Sequence, residues 1–112
     1  MGKNITVIGG GSTGHAAAAY LTGKGFSVTI CDTEKFDKEL KEIEENKGIL
    51  LRGRAGRGIY MPACVTHDFK KAVESAQLVM VCVPAARHEE VAKAIAPYLQ
   101  PGSSVLILPG NL

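Results

Sequence analysis

The sequence predicts an α/β fold with a doubly wound parallel sheet. Two observations carry that expectation. Short apolar runs alternate along the chain with stretches of helical periodicity, the pattern that builds parallel strands joined by right-handed crossovers. The chain is 112 residues long, 46% hydrophobic and 21% charged, which fits one globular domain with a small but sufficient core.

Taken in order, Ile5-Thr6-Val7-Ile8 reads as a buried strand, Ala16 to Leu21 as an alanine-rich helix, and Ser27 to Cys31 as a second strand ending on Asp32. From Glu34 to Asn46, the residues Phe36, Leu40 and Ile43 recur at i, i+4 and i+7. They form one apolar stripe of a helix whose many Glu and Lys residues are a solvated face. Gly48 is placed to end that helix. Ile49-Leu50-Leu51 reads as a third strand. The glycine- and arginine-rich stretch from Arg52 to Gly58, with Ile59-Tyr60-Met61 and Pro62, reads as a hairpin or exposed loop inserted after it. Pro62 confines the return strand to a short or edge position.

Val65-Thr66 leads into a short helix from about Asp68 to Ala76, with Phe69, Ala72, Val73 and Ala76 inward and Thr66 or Asp68 as its cap. Leu78 to Val83 is the strongest buried-strand run and stops at Pro84. His88 to Leu99 carries Val91, Ala94, Ile95 and Tyr98 at helical spacing, with Pro97 bending or ending it. Pro101-Gly102 turns the chain into a fifth strand, Val105 to Leu108, which ends at Pro109-Gly110. The expected strand order is 3-2-1-4-5. It gathers Gly9, Asp32, Pro84 and Pro109 on one edge of the sheet, where the order reverses and ligands bind.

Between the first strand and its helix lie Gly9-Gly10-Gly11-Ser12-Thr13-Gly14. Gly9 ends the strand in a turn that a side chain would block. Gly11 allows close backbone approach to a pyrophosphate, and Gly14 lets the helix pack on the strand. The amides of Gly11, Ser12 and Thr13 lie at the helix start, where unpaired N–H groups and the helix dipole favour an anion. The hydroxyls of Ser12 and Thr13 can add hydrogen bonds. Asp32 follows at about the 20-residue distance at which an acid meets the adenosine ribose. Strand, glycines, helix and acid together form the Rossmann-type fingerprint for a dinucleotide. The charge of Asp32 would repel a 2′-phosphate, so NAD is expected. NADP stays open, because Lys35 or an arginine of the loop carrying Arg52, Arg54 and Arg57 can hold that phosphate.

A cofactor laid on this edge would run past Val83-Pro84-Ala85 toward Pro109-Gly110-Asn111, with backbone atoms at Pro84 and Ala85 against the nicotinamide ribose. Three histidines are the acid–base candidates near neutral pH. His15 sits in the first helical turn, beside a phosphate or in solvent. His67 lies in a loop far from the strand ends and is given no role. His88 opens the helix after Pro84, facing either the crevice or solvent. The fingerprint binds a cofactor and supplies no chemistry of its own.

Other classes are disfavoured. A net charge of +2 without an aromatic–basic strip gives no reason to expect nucleic acid. Cys31, Cys64 and Cys82 are an odd number at wide spacing, which suggests neither a disulfide framework nor a metal site. Cys31 and Cys82 read as buried small hydrophobes, and free thiols fit a cytoplasmic location. No apolar run approaches the ~20 residues of a membrane span. Met1-Gly2-Lys3-Asn4-Ile5-Thr6 loosely matches an N-myristoylation pattern, set aside because the first strand begins within it.

Val7 to Gly14, Gly25 to Asp32, Ala76 to Ala85 with His88 and Val91-Ala92 following, and Pro101 to Gly110 together resemble the N-terminal NAD(P)-binding domain of octopine/nopaline (opine) dehydrogenases. A looser likeness extends to glycerol-3-phosphate dehydrogenase and ketopantoate reductase. The resemblance implies an NAD(P)-dependent oxidoreductase that joins an amino acid to a 2-oxo acid by reducing the resulting imine. It also implies that a helical domain, with the catalytic histidine–acid pair, lies outside residues 1–112. The resemblance therefore assigns no catalytic residue here, and the 112-residue chain alone is expected to be inactive. Two other readings are a regulatory NAD(H)-sensing module without catalysis and the FAD-binding segment of a flavoprotein.

Overall fold

The computed structural model describes residues 3–53 and 57–108. Expectations that rest on Gly2, Arg54, Pro109, Gly110 or Asn111 lie outside the described residues.

The elements follow in the order β1 (Asn4–Ile8), α1 (Ser12–Gly23), β2 (Ser27–Cys31), α2 (Asp37–Glu45), β3 (Ile49–Leu51), β4 (Gly58–Tyr60), β5 (Cys64–Thr66), α3 (Phe69–Glu74), β6 (Leu78–Val81), α4 (His88–Ile95) and β7 (Ser104–Ile107). Short 3-10 turns at Glu34–Phe36, Ala85–Arg87 and Ala96–Tyr98 precede α2, precede α4 and follow α4. A parallel five-stranded sheet runs β5-β2-β1-β6-β7, and β3 and β4 form a separate antiparallel pair.

The doubly wound topology is as expected, with one correction. The third strand of the sheet is Cys64–Thr66, not Ile49–Leu51. Counted within the sheet alone the order is 3-2-1-4-5, and the hairpin precedes the third strand instead of following it. The reason is local. Ile49, Leu50 and Leu51 pair with Tyr60, Ile59 and Gly58 across a short glycine-rich connection, while a place beside β2 is left for Cys64 to Thr66. The hairpin keeps Ile49 and Leu51 inward and leaves Leu50 exposed.

The two faces of the sheet bury separate apolar layers. Val7, Val28 and Ile30 pack with Ala18 and Ala19 of α1, Leu40 and Ile43 of α2, and Ile49 and Leu51 of the hairpin. On the opposite face Ile8, Val79 and Val81 pack with Ala72 and Val73 of α3 and with Val91 and Ile95 of α4. Adjacent residues of β1, Val7 and Ile8, thus serve opposite layers, as the pleat requires. Each fully buried Val or Ile contributes roughly 1.5–3 kcal/mol. The Thr6 hydroxyl, also buried, donates to the Ala72 carbonyl and ties β1 to α3.

The remaining boundaries differ little from expectation. Leu40 and Ile43 form the inward stripe of α2, but Phe36 belongs to the preceding turn and packs elsewhere. Asp68 caps α3 by accepting from the Lys71 amide at 3.1 Å, and Thr66 accepts from the Asp68 amide at 3.0 Å. The helix from His88 ends at Ile95, and Pro97 lies in the 3-10 turn that follows. Among the described residues no helix is long and apolar enough to cross a membrane.

Candidate functional site

Strand register builds the site edge. Ile8 is level with Cys31 and Val81, Cys31 with Thr66, and Val81 with Ile107. The next residues, Gly9, Asp32, Cys82, His67 and Leu108, therefore form one row past the C-terminal ends of the strands. Backbone bonds lock the row: the Gly9 amide donates to the Cys31 carbonyl at 2.9 Å and the Cys82 amide to the Ile8 carbonyl at 2.8 Å.

The glycines have separable reasons. Gly9 has φ +146°, and a Cβ there would lie 2.4 Å from the Cys82 carbonyl oxygen. A Cβ on Gly14 would lie 2.0 Å from the Gly9 carbonyl oxygen, so only glycine permits this closeness of α1 to β1. A Cβ on Gly10 would meet the Phe36 Cβ at 2.6 Å and its ring at 2.8 to 3.0 Å. Gly11 differs: no atom lies within 4 Å of its Cβ position, and its φ of −84° suits any residue. Its freedom from a side chain serves the space in front of the loop rather than the fold. The amides of Gly11, Ser12, Thr13 and Gly14 have no acceptor among the described residues, and Gly11 and Ser12 are exposed. Four undonated N–H groups at the start of α1 make an anion cradle.

Asp32 is placed at the edge but is not open to a ribose. It is fully buried. Its Oδ1 accepts from the Thr33 amide at 2.7 Å and from Arg87 Nη2 at 2.7 Å. Its Oδ2 accepts from the Gly10 amide at 2.7 Å and from Arg87 Nη1 at 3.1 Å. Burial pushes its carboxyl upward, but the bonds from Arg87, Gly10 and Thr33 outweigh that and hold it below the usual carboxylate range. Arg87 also donates to Glu90 at 3.0 Å, and its Cζ lies 4.9 Å from the centre of the Phe36 ring.

Val83 is buried, and its carbonyl accepts from His88 Nε2 at 3.1 Å, while Pro84 and Ala85 are exposed at the edge. Of the expected contacts past β6, the two at Pro84 and Ala85 are therefore open. The His15 ring pairs through Nδ1 with the Gly11 carbonyl at 3.0 Å. Gly11, Ser12, His15 and Arg52 line one cavity of about 620 Å³ between α1, α2 and the hairpin.

The expected placement of His67 needs correction. It stands in the edge row, directly after β5, and bridges the Asp32 carbonyl at 2.7 Å and Asp37 Oδ1 at 3.0 Å. Both ring nitrogens face acceptors, which favours the imidazolium. The bonds to the Asp32 carbonyl and to Asp37 raise its pKa. Burial, by contrast, pushes the Cys31 thiol up to about 12 and that of Cys82 up to about 11, as inert core thiols.

The family profile described as ketopantoate reductase PanE/ApbA matches residues 5–109. The chain belongs to the ketopantoate reductase PanE/ApbA family. The chain is also 36% identical over 108 residues to an opine dehydrogenase of Arthrobacter sp. (strain 1C), covering 96% of the chain and 30% of that relative. It is 35% identical over 107 residues to the glycerol-3-phosphate dehydrogenase [NAD(P)+] of Moorella thermoacetica, covering 95% of the chain and 31% of the relative. The structure of octopine dehydrogenase with NADH and L-arginine superposes with a TM-score of 0.76 at 25% identity, over 96% of this chain and 28% of that one. The chain thus spans about 30% of the length of the curated relatives it matches.

The sequence marks the glycine loop and Asp32, and the structure adds Arg87, Phe36 and Glu90 beside them. An arginine two residues beyond Ala85 is the one available signal. Nothing local to it shows that it pairs with Asp32, 55 positions earlier.

Proposed function

We propose that the chain holds a nicotinamide dinucleotide, NAD(H) with NADP(H) also admitted, and forms the cofactor-binding part of an opine-type dehydrogenase. Such an enzyme is an oxidoreductase acting on CH–NH groups, with an amino acid and a 2-oxo acid as substrates. The observation that carries the reading is the cradle: four undonated amides at the start of α1, over a Gly11 with open space where a Cβ would be. That cradle fits a pyrophosphate. The opine dehydrogenase relatives, and the octopine dehydrogenase structure determined with NADH, support the same reading.

The dinucleotide, when bound, supplies the hydride. The chain's own residues position it. Gly11 to Gly14 hold the diphosphate, Arg87, held in place by the buried Asp32, meets the adenosine half, and Pro84 and Ala85 present an exposed shelf to the nicotinamide half. Val83 orders that shelf through its bond to His88. We assign substrate binding and acid–base chemistry to a helical domain outside residues 1–112. Among the described residues the edge offers His67 and His88, and each is already bonded to the fold.

Calorimetric titration with NADH tests the reading: saturable binding of one equivalent is expected, and no binding contradicts it. Joined to a helical substrate-binding domain, the chain should oxidise NADH only when an amino acid and a 2-oxo acid are both present. Oxidation with the oxo acid alone would contradict the opine assignment.

A further inference from the structure

We propose that Arg87 is the residue that sets the relative affinity for the phosphorylated and unphosphorylated dinucleotide: it stays paired to Asp32 and offers its remaining N–H groups to the adenosine ribose or its 2′-phosphate. This rests on the reading of the edge as a dinucleotide site.

The acid at the end of the second strand ordinarily faces the ribose and rejects a 2′-phosphate by like charge. Here that acid cannot face anything. All four in-plane acceptor positions of Asp32 are filled, by the amides of Gly10 and Thr33 and by both terminal nitrogens of Arg87. Its side chain has no solvent exposure, whereas that of Arg87 retains 16%. The group that meets an incoming ribose is therefore the guanidinium, and the charge behind it is already neutralised.

Arg87 has donors to spare. A guanidinium carries five N–H groups. One on Nη1 and one on Nη2 go to Asp32, and the second on Nη2 goes to Glu90. The second on Nη1 and the one on Nε have no acceptor among the described residues. Glu90, with a side chain 43% exposed, can be displaced by a stronger anion. The Phe36 ring at 4.9 Å keeps the guanidinium plane in place, and Phe36 is itself fixed against the bare face of Gly10. A planar, preorganised fork of this kind suits phosphate. Ribose hydroxyls can accept from the same donors more weakly, so both dinucleotides are admitted. Lys35, whose charge acts on Glu90, adds a second exposed cation nearby.

Arg87→Met keeps a long apolar stem against Phe36 but removes the donors and uncovers the Asp32 charge. Calorimetry with NADH and with NADPH on the wild type and on Arg87→Met, beside thermal melts, is the test. The wild type should bind both. In the variant the ratio of NADPH to NADH affinity should fall at least about tenfold, since charge-assisted hydrogen bonds are lost and a like charge is exposed. An unchanged ratio, or a wild type that binds NADH but not NADPH, overturns the proposal and leaves the dinucleotide reading standing. A wild type that binds neither overturns both. If Arg87→Met does not fold, Asp32→Asn is compared with Asp32→Asn/Arg87→Met, in which no buried carboxylate is left unpaired. A fall in the ratio from the lost donors alone, smaller than that expected of Arg87→Met, is expected in the double variant, and an equal ratio in the two overturns the proposal.

Discussion

Arg87 and Asp32 meet end-on, with Nη2 2.7 Å from Oδ1 and Nη1 3.1 Å from Oδ2, and the pair bridges the end of β2 and the turn that follows β6. The acid that motif reasoning assigns to a ligand is thus also a structural joint. It ties the glycine loop, through the Gly10 amide, to the start of α4.

Asp32→Asn should lower stability at neutral pH by about 3–5 kcal/mol, the scale for breaking one side of a buried pair. The pH dependence has a defined sign. The folded pKa of Asp32 lies below its ordinary 3.8, so its contribution is present above that value and is lost as pH falls through the folded pKa. Urea melts of the variant should therefore lose less stability on acidification than the wild type.

His67 has the opposite sign. Its folded pKa is raised above 6.5, so its contribution is full below the unfolded value and is lost as pH rises through the folded one. His67→Ala should cost more stability near about pH 5.5 than near about pH 9. An equal cost at both would mean that the ring acts through packing alone.

The glycines should divide by what faces them. Gly14→Ala puts a methyl 2.0 Å from a backbone oxygen and should cost about 3 kcal/mol or prevent folding. Gly11→Ala meets no atom within 4 Å and should stay within about 1 kcal/mol of the wild type. Chemical denaturation compares them.

Of the three cysteines, Cys64 alone is partly exposed. Ellman's reagent near neutral pH should label one thiol in the folded chain and the other two only after denaturation. Fast labelling of Cys31 or Cys82 would contradict the buried, raised-pKa environment of those thiols.

Most of the sheet was legible because β1, β2 and β6 are apolar runs whose side chains serve both buried layers. The glycine loop was legible because Gly9 and Gly14 answer to backbone geometry that recurs wherever a strand turns tightly into a helix. Cys64–Thr66 was not. Its three half-buried residues carry no hydropathy contrast, while the more apolar Ile49-Leu50-Leu51 took the third-strand reading and proved to be half of a hairpin. Phe36 read as one stop on a helical stripe, yet the stripe begins at Leu40 and the ring closes over Gly10. The Arg87–Asp32 and His67–Asp32 contacts span 55 and 35 positions. No local periodicity encodes pairings of that kind; they emerge only when the register brings the strand ends level.

The central claim is that the amides from Gly11 to Gly14 cradle the diphosphate of a dinucleotide, and Gly11→Val tests it most directly. A valine there has free space and an ordinary φ, so the fold should be unaffected, yet its side chain fills the place of the diphosphate. NADH calorimetry on the two proteins, at matched thermal stability, should show binding to the wild type and at least about a tenfold loss in the variant, the equivalent of one good hydrogen bond. Equal affinity in the two would contradict the account.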